Sequence, residues 1–521
     1  MAKVNLDALI PREDFEVKDT LDQNTGRNTQ TIRLEDLKKG AFFFSFIRKP
    51  DFQRETNEWD SERIIGLIGS FIEGDLIPAI ILWNNAKSYT FVIDGSHRLS
   101  ALAAWVNDDY GDGQLSKEFY ESIIPEEQIK IAEKTRTLIR KRIGPYSEYQ
   151  LALTNPEKVR PEIVQRSKVI GRLALQLQWV DGDATKAEES FFKINRQAAP
   201  INPTELILLK ARRKPNGLAA RAIIRSGTGH KYWSKFADDK KQEIEKIAKE
   251  INELFFIPPL KHPIKTLDLP IAGKMYSSQT LSLILNFINI VNGIDNSSES
   301  TILDDTIGYS SIDYLKNCRK IALRLNSNNA GSLGLHPAIY LYSKEGRYKI
   351  VSFYAVTALL LDFENNPQLL KDFTSVRALF EEILIEYDYF IPQIVRKYRR
   401  GTSGYTYIKE FYLILIRKLM ENKSKENVIS ELLKDQNYNY LKTQIDTDEE
   451  LYTEQDFTLE VKSATFMKEA IANALKCKIC GGYIHRNSIS IDHKTRKQDG
   501  GTGTLDNAQL THFYCNTTYK N

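Results

Sequence analysis

The chain has 521 residues, 42% hydrophobic and 27% charged, with 72 Lys and Arg against 68 Asp and Glu, 7 His and 4 Cys. At roughly 100 to 200 residues per domain this predicts two to four structural units, and the composition excludes a disordered, collagenous or disulfide-stapled chain. The net charge of +4 is unevenly placed: residues 462–521 hold nine basic and four acidic residues, a net of +5, so the preceding part comes to about −1.

The opening stretch MAKVNLDALIPREDFEV carries no apolar signal segment, and the longest apolar runs, such as IIGLIGSFI and VTALLLDF, fall short of the ~20 residues needed to span a bilayer. A soluble cytoplasmic protein with no membrane partner is expected. Residues 30–105 read as an α/β unit: AFFFSFI (41–47), AIILW (79–83) and SYTFVI (88–93) have the β-branched and aromatic content of strands. Between the first two, Ile64, Ile65, Ile68, Phe71 and Ile72 recur at helical spacing, with Asp60 or Ser61 as N-cap and Gly74 as stop. After the third strand comes an Asp94-Gly95 turn and a second helix, RLSALAAWV.

From about 115 to 290 the pattern is helical, as in KEFYESIIPEEQIKIAEKTRTLIRKRI, QEIEKIAKEINELFF and SQTLSLILNFINIV. GIDNSSESTILDDT (293–306) is a polar break, and 311–420 is again helical and rich in Tyr and Phe, which suit a helical core better than base-stacking platforms. Cys318 reads as a small core residue. Residues 421–450, charged and weakly periodic, suit a helical or flexible tether. The expected segments are 1–110, 111–292, 307–440 and 462–521.

Three of the four cysteines and three of the seven histidines crowd into the tail. Cys477 and Cys480 form Cys-x2-Cys, and His512 and Cys515 form His-x2-Cys, two soft-ligand pairs that match tetrahedral structural Zn²⁺; unconnected core thiols are the alternative. A tail of about 45 residues buries little core, whereas structural zinc can supply on the order of 10 kcal/mol of folding free energy. Between the pairs, SISIDH reads as a strand ending in Asp492 and His493, LDNAQLT as a second strand beginning near Asn507, and FYCNTTYKN as a closing helix carrying Asn516.

This layout resembles the ββα-metal fold of HNH endonucleases. Cys477, Cys480, Asp492, His493, Gly500, Gly501, Asn507, Leu510, Cys515 and Asn516 meet that family's pattern of a Cys pair, an Asp-His dyad, Gly-Gly, Asn-x-x-Leu and a terminal Cys-Asn. Phosphodiester hydrolysis needs a water, a base to deprotonate it, and a cation to offset charge on the phosphorane and the departing oxygen. The resemblance implies His493 as general base, Asp492 and Asn516 as ligands of Mg²⁺ or Mn²⁺, and Asn507 as the brace of the loop that orients His493. Lys494, Arg496 and Lys497 suit contacts to the DNA backbone. His512 stands where a cysteine is commoner, and Asn516 where the family's last histidine is found. His485 is either a phosphate contact or a bystander. A zinc module that binds nucleic acid without cutting is the competing reading.

In FVIDGSHRLSALAAW the glycine lets backbone approach a ligand closely, the helix start offers N–H groups, and Arg98 supplies a forked donor for phosphate. A plain helix start with Arg98 as a surface ion is the alternative. The ordered set FQR, W, LIGSFIEGDLIPAIIL and FVIDGSHRLSAL resembles the ParB/sulfiredoxin-like domain of the GmrSD and SspE type of modification-dependent restriction proteins, whose hallmark is DGQQR. Here the motif is DGSHR, with Ser96 and His97 in place of two glutamines. EESFFKINRQAAPINPTELILLKAR resembles that family's Phe-x-x-Asn-Arg stretch. The resemblance implies a pocket of Gln53, Arg54, Asp94, Gly95, His97, Arg98 and Asn195, with Arg196 nearby, that binds or hydrolyses a nucleoside triphosphate or senses DNA modification.

The expectation is therefore a multidomain α+β chain: a ParB-like α/β domain, a mostly helical middle and a C-terminal ββα-metal domain with structural zinc. Its function would be a metal-dependent DNA endonuclease gated by the N-terminal domain and acting on double-stranded, including modified phage, DNA, as a homo-oligomer or with a defence-system partner. Competing readings are a nucleotide-regulated DNA-binding protein with a non-cleaving zinc module, and an intron or intein homing endonuclease.

Overall fold

The computed structural model describes residues 3–13, 28–50, 53, 56, 59–85, 89–119, 124, 126–198, 207, 211–227, 231–233, 235–275, 280–295, 301–398, 401–421, 424–443 and 457–520. Two units emerge, one of Met1–Arg212 with Gly229–Lys235, the other of Arg213–Thr228 with Phe236–Asn521. The division falls inside the expected 111–292 segment.

In the first unit six strands form one sheet in the order β1-β3-β5-β4-β6-β2: β1 Arg12–Glu13, β2 Thr31–Ile32, β3 Ile47–Pro50, β4 Ile80–Asn84, β5 Thr90–Asp94 and β6 Leu175–Trp179. The sheet is mixed: β4 runs antiparallel to β5 and parallel to β6, and β3 runs parallel to β5. Successive side chains of a strand face opposite ways, so β4 and β5 bury both faces. Leu82 and Val92 join Ile64, Ile68 and Phe71 of α2 (Ser61–Glu73) and Leu99, Leu102 and Trp105 of α3 (Ser96–Asn107). Trp83, Phe91 and Ile93 turn to the other face, against Ala187 and Phe191 of the Ala184–Ala198 helix. Asp60 caps α2 by accepting the Arg63 amide at 3.0 Å, and Gly74 ends it at φ +78°.

Two local expectations change. AFFFSFI is a short helix, α1 (Phe42–Phe46), and the strand begins only at Ile47. Phe42 and Phe46 are exposed and only Phe44 is buried, while Ser45 Oγ donates back to the Ala41 carbonyl at 2.9 Å. Aromatic strand preference is a preference for a pleated, half-buried surface, and the ladders of β3 to β1 and β5 lie within 47–50. The second change is β6, inside the stretch expected to be helical. Its alternation was plain: Leu175 and Leu177 are buried while Gln176 and Gln178 are exposed.

The second unit is built from long helices, among them Asp238–Phe256, Thr280–Val291, Tyr309–Leu325, Ile350–Asn365, Pro367–Glu386 and Tyr405–Met420. Its aromatic residues are core: Phe255 meets Phe287 at 5.0 Å and Phe353 at 5.6 Å between ring centroids, and Phe380 meets Phe373 at 5.4 Å and Tyr412 at 5.6 Å. Cys318 is fully buried, as expected. Within the 293–306 break, Asp305 accepts the Gly308 and Ser311 amides at 2.7 Å each and so caps the Tyr309–Leu325 helix.

Of the expected tether, the Lys425–Lys434 helix buries Val428, Ile429 and Leu432; residues 444–456 lie outside the described set. The next helix, Leu459–Ala472, is packed in place, with Met467 buried and Ser463 Oγ accepting the Ile264 amide at 3.0 Å. The tail then forms an antiparallel hairpin of β7 (Ser490–His493) and β8 (Ala508–Thr511), closed by a π-helical segment, Cys515–Tyr519. No described helix is long and apolar enough to cross a membrane.

Candidate metal centres

The Cys477–Cys480 knuckle turns through Gly481 at φ +69°, with the Cys477 amide donating to the Gly482 carbonyl at 2.8 Å. Strand β8 delivers His512 and the closing segment delivers Cys515. The ligand atoms of Cys477, Cys480, His512 and Cys515 all lie within 4.8 Å of one another, and all four residues are buried. His512 Nε2 faces the Tyr483 carbonyl at 3.0 Å and Nδ1 faces the thiols, 3.4 Å from Cys480 Sγ. A proton on Nε2, donated to Tyr483, leaves the Nδ1 lone pair for a metal, the arrangement ligating histidines adopt. Hydrogen bonding among the thiols holds Cys477 well below the usual thiol range and pushes Cys480 and Cys515 up. Three sulfurs and one imidazole nitrogen in a dry cluster suit tetrahedral Zn²⁺.

One side of this centre is made by the helices. Arg377, 2% exposed, donates to the Leu333 and Gly334 carbonyls at 2.6 and 3.1 Å, lies 3.4 Å from His512 Nδ1 and pairs with Glu381 at 2.7 Å. A Cβ on Gly482 would meet the Arg377 side chain, so glycine there permits the close approach. Neither Arg377 nor Glu381 stood out in sequence, because each looked like one charge on an amphipathic helix.

On the hairpin, register pairs Asp492 with Gln509 and His493 with Ala508. Ser490 and Asp492 are buried, Ile491 is exposed and His493 is half-buried at the strand end. The closing segment crosses the Ser490–Asp492 face. Asn516 Nδ2 donates to Ser490 Oγ at 2.8 Å and to the Ile491 carbonyl at 3.2 Å, and Lys520 Nζ donates to Asp492 Oδ2 at 2.7 Å. Gln509 Nε2 also donates to Oδ2, at 2.8 Å, and no described residue donates to Oδ1. Asp492 and Asn516 are therefore brought to one face of the hairpin, with a carboxylate oxygen available to a hard cation. Gln509 and Lys520 were missed; the alternation of LDNAQLT, which sets Gln509 opposite Asp492, was the available signal.

Asn507 spans the loop after His493. Its Nδ2 donates to the Thr495 and Thr502 carbonyls at 3.1 and 2.8 Å, its Oδ1 accepts the Thr495 amide at 2.8 Å, and its carbonyl accepts the Lys494 amide at 2.8 Å. A Cβ on Gly501 would collide with the Thr495 carbonyl. Lys494 Nζ donates to the Asp506 carbonyl at 2.7 Å and Arg496 to the Lys520 carbonyl at 2.6 Å, so both brace the fold; Lys497 is exposed. His485 is buried, with Nδ1 3.0 Å from Asn326 Nδ2 and Nε2 3.3 Å from Asp268 Oδ1, a position that offers it to no phosphate.

In the first unit Asp94, Gly95, His97 and Arg98 gather where β5 passes into α3. Gly95 turns at φ +95°, where a Cβ would meet Ile80, and His97 stacks on Trp59 at 5.7 Å. Arg98 Nη2 donates to Asp94 Oδ2 at 2.7 Å and to the Ala79 carbonyl at 3.2 Å, while its Nε is buried with no partner among the described residues. Ala79 in turn lines a cleft of about 460 Å³ with Leu76, Ile77, Pro78, Gln176, Leu177 and Gln178. Gln53 lies with Arg12, its carbonyl accepting Nε and Nη2 at 3.3 Å each. Arg12 belongs to a buried network that sequence reading missed, in which Lys49 Nζ donates to Asp7 Oδ1 at 2.7 Å and Arg12 pairs with the same carboxylate. Arg54 and the side chains of Asn195 and Arg196 lie outside the described set.

Residues 33–212 match the family described as GmrSD restriction endonuclease, N-terminal domain, and residues 477–521 match HNH endonuclease. No curated protein and no solved structure matches the chain. Over these two segments the chain is similar to restriction and HNH endonucleases, which supports a metal-dependent nuclease, a hydrolase with DNA as substrate, carrying a Cys3His cluster suited to zinc.

Proposed function

We propose that this protein is a divalent-metal-dependent DNA endonuclease that restricts foreign DNA, with the hairpin of 490–511 as cutter and the DGSHR domain as its nucleotide or DNA-modification sensor. The observation that carries the cutter is the convergence of Asp492 and Asn516 on one face of the hairpin, with His493 at the end of the same strand and the Cys3His cluster closing the fold. Asp492 Oδ1 and the Asn516 amide would hold Mg²⁺ or Mn²⁺, which supplies positive charge for the phosphorane and the departing oxygen. His493 takes a proton from the attacking water as its oxygen bonds to phosphorus, and the opposite P–O ester bond breaks, its oxygen taking a proton from solvent water to leave as an alcohol. Asn507 holds the 495–502 loop and thereby the backbone on which His493 sits.

For the sensor, Arg98 at the start of α3 supports phosphate recognition, with Asp94 holding the guanidinium until a ligand competes for it. The test of the whole reading is cleavage of modified and unmodified phage DNA by the full chain with Mg²⁺ or Mn²⁺, with and without nucleotide. Absence of nicking under every combination, in protein that holds zinc, would sink the endonuclease and leave a DNA-binding zinc module.

A further inference from the structure

The ammonium of Lys520 and any divalent cation at Asp492 must share one carboxylate. Lys520 is pinned from several sides: Nζ donates to Asp492 Oδ2 at 2.7 Å and to the His493 carbonyl, its amide donates to the Cys515 carbonyl at 3.1 Å, and its own carbonyl accepts Arg496 at 2.6 Å. The ion pair is largely dry, with Lys520 and Asp492 side chains 20% and 7% exposed. In such surroundings two positive charges a few ångströms apart repel far more than they would in water. Gln509 holds the same Oδ2 independently, so the carboxylate keeps its orientation if the lysine is lost.

We infer that Lys520 is a positioning residue that opposes cation binding at Asp492 until a DNA phosphate arrives, so that loading of the divalent ion is coupled to substrate. This rests on the assignment of Asp492 as a metal ligand. A phosphate beside the site supplies the negative charge that lets ammonium and divalent ion coexist. By linkage, the cation then strengthens DNA binding by the same factor. A nuclease so built keeps its catalytic ion weakly held when no substrate is present.

The test is Mn²⁺ binding to the full-length, zinc-loaded protein without DNA, followed by the spectrum of free Mn²⁺, for wild type, Lys520→Met, Lys520→Arg and Asp492→Asn. Lys520→Met should bind Mn²⁺ roughly tenfold more tightly, Lys520→Arg should behave as wild type, and Asp492→Asn should bind more weakly than either. With a DNA duplex whose phosphodiesters are replaced by a non-cleavable analogue, DNA should tighten Mn²⁺ binding to the lysine protein and do so much less with Lys520→Met. If Lys520→Met binds Mn²⁺ no better than wild type while Asp492→Asn loses it, Lys520 is only a prop and the coupling is overturned. If Asp492→Asn changes nothing, the metal assignment itself falls, and this inference with it. Zinc content and the thermal unfolding midpoint of each variant separate these outcomes from misfolding.

Discussion

Glu381, on the Pro367–Glu386 helix, accepts the Tyr483 amide at 2.6 Å, within the turn that follows the Cys477–Cys480 knuckle. Its other oxygen accepts Tyr340 Oη at 2.8 Å and Arg377 Nε at 2.7 Å. The tail is thus seated in the helical layer. Lys476 with Glu382 at 3.7 Å, Tyr514 N donating to the Ser332 carbonyl at 3.1 Å and Thr517 Oγ1 donating to the Ala330 carbonyl at 2.8 Å extend the seat.

Removing one partner of a buried, hydrogen-bonded ion pair costs about 3 to 5 kcal/mol, because the other charge is left unpaired. Glu381→Ala and Arg377→Ala are therefore expected to loosen the zinc lobe. Zinc release to a chromogenic chelator should be at least tenfold faster than in wild type. Release at the wild-type rate would show that the Cys3His cluster holds itself together without the helices.

Loss of a general base typically lowers a rate by ~10² to 10⁴. His493→Ala should lose plasmid cleavage on that scale with zinc content unchanged. Asn507→Ala should lower cleavage less, since it acts through the 495–502 loop. A His493→Ala protein that cuts as fast as wild type would show the base to be another group.

Burial pushes the His336 imidazole down to about 3 and the His485 imidazole down to about 4 from an ordinary 6.5, the two rings meeting at 5.2 Å. Both are neutral in the folded state. The unfolded chain binds more protons once pH falls below 6.5, so the stability these residues contribute is intact above that pH, drains away below it, and is gone by about pH 4 for His485 and about pH 3 for His336. The second unit should lose stability between pH 7 and pH 4. His336→Gln should lose visibly less over the same range, which separates the imidazole from acid release of zinc. Parallel pH profiles of the two proteins would refute this account.

Arg98→Ala should weaken nucleoside triphosphate binding measured by calorimetry while leaving zinc content as it was. Because Asp94 competes for the same guanidinium, Asp94→Asn should strengthen that binding several-fold. Should none of the four triphosphates bind wild type, the α3 start would be assigned to DNA or to structure alone.

Much of the local architecture was legible in residue spacing. The α2 helix and its cap, the Asp-Gly turn into α3, the hairpin strands and the Cys and His pairs all follow from periodicity or from spacers that chemistry requires. AFFFSFI misled because aromatic content speaks of burial, and only the ladder partners of β3 decide where pairing begins. LALQLQW was legible and was overlooked in a helical neighbourhood.

What the amino-acid order determined by itself is the set of chemically capable groups: soft ligands in two pairs, an Asp-His dyad at a strand end, and a basic tail on a near-neutral body. Tertiary structure alone decided which of them share a charge or a proton. Arg377 and His512 are 135 positions apart, and Glu381 and Tyr483 are 102. Lys520 reaches Asp492 across 28. Local periodicity carries no signal over such separations, since a charge on a helix looks the same whether it faces water or a buried partner until the chain has packed.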